Sequence, residues 1–158
     1  MPDARKAVQN GIRTSQSSDP AKQTIVGIDG SSGSTAAAEW ATRQAKLTQS
    51  SLQAITTWHS PTSFGDPMPI PQGFDPAAEA TKVLDDAISK LDTGYPGVQI
   101  PTLVTKGHTA QMLVESSESA DLLVVGSRGH GKMAGMPLGS VSDHCVAHSH
   151  CPVLASRH

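Results

Sequence analysis

The chain has few aromatic side chains and no excess of positive charge. Five of its 158 residues are Phe, Trp or Tyr, and 12 Lys and Arg stand against 14 Asp and Glu, a formal net charge of −2. A nucleic-acid-binding protein needs a basic face and often uses aromatic side chains as stacking platforms. The composition therefore argues against that class of protein.

Long hydrophobic runs and a cysteine framework are also missing. No apolar run approaches the roughly 18 residues of a membrane-spanning helix, and the N-terminus lacks the apolar core of a secretion signal. Cys145 and Cys151 are the two cysteines, too few for a disulfide-stabilised fold. We therefore expect a cytoplasmic protein with reduced thiols, and the length suits a single domain with a proper core.

The chain does contain an alternation of strand and helix patterns. Residues 1–23 are polar and interrupted by prolines, which indicates a flexible N-terminal tail before one folded domain over residues 24–158. Strands are predicted at residues 24–29, 51–59, 98–107, 120–127 and 151–156, and helices at 35–48, 77–91, 109–119 and 140–147. Ser34 is the predicted N-cap of the first helix. Residues 61–76 are predicted to form a long loop. Pro101 indicates either an edge strand or the start of a strand.

This alternation predicts an α/β fold, a single-domain three-layer α/β/α sandwich with a five-stranded, mainly parallel, Rossmann-like sheet. Ligands of such sheets bind beyond the carboxyl ends of the strands, where the winding direction switches. Two loops leave strand ends with suitable chemistry. One follows Asp29, and the other lies within residues 124–142, VVGSRGHGKMAGMPLGSVS.

Three phosphate-binding patterns can be compared with that second loop. The P-loop pattern fails because Met133 replaces the hydroxyl that holds Mg²⁺ and because no helix begins there. The dinucleotide pattern fails because Ala134 stands where its third glycine belongs. The pattern G-x2-G-x9-G-[ST] fits without adjustment, with Gly126, Gly129 and the pair Gly139–Ser140.

With this loop the sequence resembles the ATP-binding branch of the universal stress protein family, over about residues 24–157. The segments VGIDGS, LVTKGHTAQMLVE and CPVL and the Ala- and Trp-containing first helix carry the rest of the resemblance. It implies a fold of the adenine nucleotide alpha hydrolase type that binds ATP, with Mg²⁺ held mainly through the phosphates. It also implies a homodimer formed through the last strand, residues 151–156, and a regulatory role in stress adaptation.

The glycines of the motif have physical roles of their own. Gly126 would let the backbone approach a ribose or phosphate where a Cβ would clash, and Gly129 would open an anion-binding turn. Gly139 and Ser140 stand at a helix start, where free N–H groups and the dipole favour a negative group. Arg128 is predicted to contact phosphate, ahead of His130 and Lys132. By resemblance, Gly27, Ile28 and Asp29 line the nucleoside, Trp58 lies against adenine, and Val125, Gly126, Gly129, Gly139, Ser140, Val141 and Ser142 contact ribose and phosphates.

The segment DHCVAHSHC, residues 143–151, invites a metal interpretation. His144 and His148 are four residues apart and share a helix face, but the paired C-x2-C spacing of zinc sites is absent. In the family, a His-containing turn commonly leads into a CPV strand, which gives these residues a structural explanation. We therefore name no metal ligand from the sequence, and whether His144, Cys145 and His148 bind a metal stays open.

Three functions stay open at this point. The first is a regulatory nucleotide switch, the second is a slow ATPase or nucleotidyl-transfer enzyme, and the third is a dimeric scaffold without ligand. No catalytic residue is predicted, because His130 is the one candidate base and a loop histidine is more often solvated than catalytic. The intact glycine set argues against the scaffold.

Overall fold

The computed structural model describes residues 22–130 and 135–157. The predicted tail, apart from its last two residues, and the loop residues 131–134, which include Lys132 and Met133, lie outside the described residues. In chain order the elements are β1 Gln23–Gly27, α1 Ser32–Thr48, β2 Ser51–Trp58, β3 Thr62–Ser63, β4 Asp66–Pro67, α2 Pro76–Gly94, β5 Thr102–Lys106, α3 Thr109–Ser116, a 3₁₀ turn Ser117–Ser119, β6 Leu122–Gly126, α4 Ser140–His148 and β7 Val153–Ser156.

Five of the strands form one sheet in the order β5-β2-β1-β6-β7, and every pairing in it is parallel. The chain moves from β1 to β2 and β5 on one side and later from β6 to β7 on the other. The winding direction therefore switches between β1 and β6, where the two central strands lie side by side. The edge position predicted from Pro101 is confirmed, because β5 is an edge strand.

The helices cover the sheet on two faces, so the predicted three layers are confirmed. Side chains of α1 and α2, such as Ala41 and Leu84, pack with Val26 of β1 in one buried cluster. Leu113 of α3 and Cys145 of α4 pack with Ile25 in the other. Because Ile25 and Val26 are consecutive in β1, their side chains point to opposite faces, as the period of a strand requires.

Two local predictions are wrong. The N-cap of α1 is Ser31, whose Oγ accepts a hydrogen bond from the Ser34 amide at 3.2 Å. Ser34 lies inside the first turn, where its hydroxyl donates to the Ser31 carbonyl at 3.1 Å. The predicted long loop after β2 contains the short antiparallel hairpin β3–β4.

The remaining differences concern element ends. β1 begins at Gln23, one residue before its predicted start, and β5 begins at Thr102, four residues after it. Among the described helices, none has an apolar stretch long enough to span a bilayer.

Candidate nucleotide-binding site

A cavity of about 290 Å³ lies at the carboxyl ends of β1 and β6, at the switch in winding direction. Its walls come from the loop after β1, the loop after β6 and the first turns of α3 and α4. Eleven of the twelve residues predicted to bind nucleotide line it: Gly27, Ile28, Asp29, Val125, Gly126, Arg128, Gly129, Gly139, Ser140, Val141 and Ser142. The structure thus brings together two loops about a hundred residues apart in sequence.

Trp58 is the twelfth predicted residue, and it is not among the residues that line the cavity. It ends β2, and the ammonium group of Lys106 lies 5.4 Å from the centre of its ring. Lys106 ends the neighbouring strand β5, so this cation–π contact joins two strand ends beside the site. The contact of Trp58 with adenine stays a prediction.

Seven lining residues lie outside the predicted set: Ser31, Ser34, Thr109, Leu113, His130, Met136 and Leu138. The two serines follow Asp29 in the run GSSGS, and this position after a strand was a signal that could have identified them. Thr109 and Leu113 come from α3, which enters the site because the Thr109 hydroxyl hydrogen-bonds that of Thr57 in β2. No local sequence pattern predicts the contact between Thr57 and Thr109, because the two residues are far apart in the chain.

Asp29 has two roles in this geometry. Its Oδ1 accepts hydrogen bonds from the backbone N–H of Ser31 at 2.8 Å and from the Ser31 hydroxyl at 2.5 Å. Its Oδ2 faces Gly129, since a Cβ built at Gly129 would lie 2.8 Å from that oxygen. One oxygen therefore holds the turn before α1, and the other lies against the loop after β6.

Gly126 is required for a different reason from the one predicted. A Cβ at this position would lie 2.7 Å from the carbonyl carbon of Gly33 and 3.0 Å from the amide nitrogen of Ser34. Gly33 in turn has no room for a side chain, because its Cβ would lie 2.4 Å from the Arg128 carbonyl oxygen. The two glycines allow the first turn of α1 to contact the end of β6 backbone against backbone. The two glycines are therefore required for packing within the protein, and this packing in turn forms the cavity.

The N-terminus of α4 forms one wall of the cavity. Its N-cap is Gly139, and no side chain among the described residues caps it. The amides of a first helical turn have no acceptor within the helix, so the N–H groups of Ser140, Val141 and Ser142 are oriented toward the N-terminal end that lines the cavity. The Ser142 hydroxyl is already committed, because it donates to the Ser127 carbonyl at 2.9 Å. Any anion contact at Ser142 therefore falls to its backbone N–H.

In the described part of the loop after β6, two basic side chains, Arg128 and His130, form hydrogen bonds with backbone carbonyls. Arg128 is exposed and lines the cavity, and its Nη2 donates to the Met136 carbonyl at 2.6 Å. His130 also lines it, and its Nε2 lies 2.6 Å from the Asp29 carbonyl oxygen, so it links this loop to the loop after β1. Arg128 keeps its other N–H groups for a ligand, since a guanidinium has five.

The cysteines are separated from the histidines of the same segment. Cys145 is completely buried, and burial raises the pKa of its thiol to about 11. Cys151 is half-buried, and burial raises its pKa as well. His144 and His148 are exposed on α4, with their ring centres 4.4 Å apart. The predicted shared face of the two histidines is confirmed, and Cys145 points into the core.

Comparison with known proteins gives a consistent result. The universal stress protein family profile matches residues 20–157. The Mycobacterium tuberculosis universal stress protein Rv2623 is 38% identical over 136 residues, which cover 84% of this chain and 44% of that protein. The chain thus spans a little under half the length of this curated relative.

Solved structures agree in fold. A universal stress protein in complex with cAMP has 26% identity and a TM-score of 0.65, covering 85% of this chain and 96% of its own. The Arabidopsis thaliana family protein At3g01520 with AMP bound has 20% identity and a TM-score of 0.62, covering 87% and 92%. The protein described here belongs to the universal stress protein family.

Proposed function

We propose that this domain binds an adenine nucleotide, ATP with Mg²⁺ in the first place, and acts as a nucleotide-dependent regulatory switch in the stress response. The observation that carries the proposal is the cavity between β1 and β6, into which the G-x2-G-x9-G-S loop and the uncapped start of α4 both open. Backbone N–H groups at a helix start favour a phosphate.

The lining of the cavity combines apolar side chains with phosphate-binding groups, which suits a nucleotide. Ile28, Leu113 and Val125 provide apolar surface for a base, while the start of α4 and Arg128 provide donors and positive charge for phosphate. The cAMP and AMP bound in two neighbours of the same fold support an adenine nucleotide as the ligand.

The residues at the site also fit Mg²⁺. Asp29 offers Oδ2 on the side of Gly129, and a carboxylate oxygen is a ligand that Mg²⁺ prefers. When bound, the ion neutralises phosphate charge. The protein would contribute this one carboxylate beside a loop of backbone donors, so that the phosphates hold most of the ion.

The enzyme alternative has less support. His130 is the one candidate base. Its Nε2 lies 2.6 Å from the Asp29 carbonyl oxygen and must donate to it, so only Nδ1 could act as the base. The alternative of a scaffold without ligand does not account for the cavity. We further propose that the protein acts in the cytoplasm as a homodimer through β7, as expected from the sequence.

Calorimetry with ATP, AMP and cAMP tests the proposal, together with native mass spectrometry of freshly purified protein for bound nucleotide. The decisive variant is Gly139→Ala. Its Cβ would touch protein atoms only at ordinary distances of 3.5–3.6 Å, so the fold tolerates it while the methyl group takes up space at the phosphate wall. We expect ATP affinity to fall at least about tenfold, equivalent to about 1.4 kcal/mol.

Gly94→Ala is the matched control, because a Cβ at Gly94 in α2 meets no atom within 4 Å. It should leave the affinity unchanged. If Gly139→Ala bound ATP as tightly as Gly94→Ala, the proposed phosphate wall would be wrong. Release of ADP over many turnovers, lost in His130→Ala, would favour the enzyme instead.

A further inference from the structure

His144 and His148 form a pair of exposed imidazoles on the C-terminal half of α4, beyond the residues that line the nucleotide cavity. They are four residues apart, their ring centres are 4.4 Å apart, and the rings are inclined by 44°. Both side chains are exposed, so small rotations about their side-chain bonds meet little resistance. The site is independent of the cavity, because α4 contacts the cavity with its first residues and carries His148 as its last.

We propose that His144 and His148 together chelate a divalent transition-metal ion of the nickel, copper and zinc group. Metal–imidazole bonds are about 2.0–2.1 Å long, so two nitrogens on one ion lie roughly 3 Å apart. Rings with centres 4.4 Å apart can bring one nitrogen each to that separation by rotation. Imidazole is a preferred ligand of these ions, and carboxylate-binding ions such as Mg²⁺ are disfavoured.

The position in the helix adds a second argument. His148 is in the last turn of α4, where unpaired carbonyls and the helix dipole favour positive charge. A bound cation therefore gains stabilisation there that it would not gain in the middle of a helix. The chelate also links one turn of the helix to the next, so ion binding should stabilise the end of α4.

The site is open. Among the described residues, no group of three or more His, Cys, Asp or Glu side chains could hold a metal ion together. Two imidazoles leave the other coordination positions to water or to a ligand from another molecule. Cys145 does not contribute, since it is buried on the core side of the same helix.

Other histidines of the chain serve as internal controls. The rings of His59 and His108 are 6.3 Å apart and nearly parallel, inclined by 25°, so the nitrogen lone pairs, which lie in the ring planes, do not converge on one ion. The Nε2 of His150 lies 3.7 Å from the Oε1 of Glu118, so His150 pairs with this carboxylate and not with His144 or His148. Substitution of His59 or His150 should therefore leave metal binding intact.

The test is calorimetric titration of the untagged, nucleotide-free full chain with Ni²⁺ at neutral pH, repeated with Cu²⁺. We expect one ion per chain, with Cu²⁺ bound more tightly than Ni²⁺. His144→Gln and His148→Gln should each weaken Ni²⁺ binding at least about tenfold, since the loss of even an outer-shell partner costs about 10–100-fold. Glutamine keeps the helix, which circular dichroism verifies.

His150→Gln and His59→Gln should bind Ni²⁺ like the original protein. Absence of Ni²⁺ binding by the original protein would overturn the proposal. So would unchanged binding in the double variant His144→Gln/His148→Gln, or an equal loss in His150→Gln. A rise in melting temperature with Ni²⁺ that disappears in the double variant would support it, because an ion bound to the native state alone stabilises that state.

Discussion

At the scale of single residues, glycine is needed at each position of the loop motif for a different physical reason. An alanine methyl group at position 126 would overlap the Gly33 backbone at 2.7 Å. The backbone of a packed core cannot move aside as a flexible side chain can. We expect Gly126→Ala to lower the free energy of unfolding by about 1–3 kcal/mol, measured by urea denaturation.

Gly139→Ala provides the comparison at the other end of the motif. Its contacts of 3.5–3.6 Å are ordinary, so we expect a smaller loss, below about 1 kcal/mol, which comes from alanine replacing glycine at the N-cap of α4. Equal stability of Gly126→Ala and the original protein would contradict the backbone contact with Gly33.

Cys145 gives the protein a dependence on alkaline pH. Its thiol titrates near pH 9.0 in the unfolded chain and near pH 11 in the folded one, because burial disfavours the thiolate. Between these values the unfolded state binds fewer protons, so stability falls as pH rises from 9 to about 11. Urea midpoints across this range, compared with Cys145→Ala, measure the effect. An equally steep decline in Cys145→Ala would assign it to other groups.

The residues of the site could be predicted from the sequence better than the structural roles of those residues. The spacing of Gly126, Gly129 and Gly139 is a local pattern, so it could be read directly. The contact of Gly126 with Gly33 joins residues far apart in sequence, and no pattern marks it. Trp58 was assigned by resemblance alone, and its contact with Lys106 of a neighbouring strand could not be foreseen from a local pattern.

At the scale of elements, the start of α1 links helix stability to the site. Ser31 caps this helix and also donates two hydrogen bonds to Asp29. Ser31→Ala should lower the free energy of unfolding by about 1 kcal/mol through the lost cap. It should also weaken nucleotide binding, because Asp29 loses the hydroxyl that orients it. Denaturation and calorimetry measure the two effects.

Asp75→Ala separates them. Asp75 caps α2 by accepting from the amides of Ala77 and Ala78 at 3.0 and 3.3 Å, and it is not among the residues that line the cavity. It should reduce stability by a similar amount and leave nucleotide affinity unchanged. Equal losses of affinity in both variants would mean that Ser31 acts through stability alone.

The elements themselves were predictable because each has a strong pattern: buried β-branched strands such as β1, and helices such as α2 with apolar residues on one face. Their ends were less predictable. Three serines compete for the N-cap of α1, and the choice of Ser31 depends on Asp29, which holds its amide. The hairpin β3–β4 has two-residue strands, too short to show a periodic pattern.

At the scale of the whole molecule, the sheet has two edges, β5 and β7. An open edge presents unpaired backbone groups that a second chain can use. For the proposed homodimer through β7, sedimentation equilibrium should give twice the chain mass of 16.4 kDa. Leu103→Lys, on the β5 edge, should not change this mass. A single-chain mass at all concentrations, or dissociation by Leu103→Lys, would contradict pairing through β7.

The pair Gly33 and Gly126 has a mechanical consequence. Where helix and strand usually meet through side chains, rotamer changes can absorb a small displacement; here the two backbones touch without such a layer. A shift of the loop after β6 is therefore passed directly to the first turn of α1, as expected for a close-packed interior that transmits strain. We expect such a shift to tilt α1 as a rigid body, so that occupancy of the cavity displaces the far end of the helix, beside the amino ends of β1 and β2.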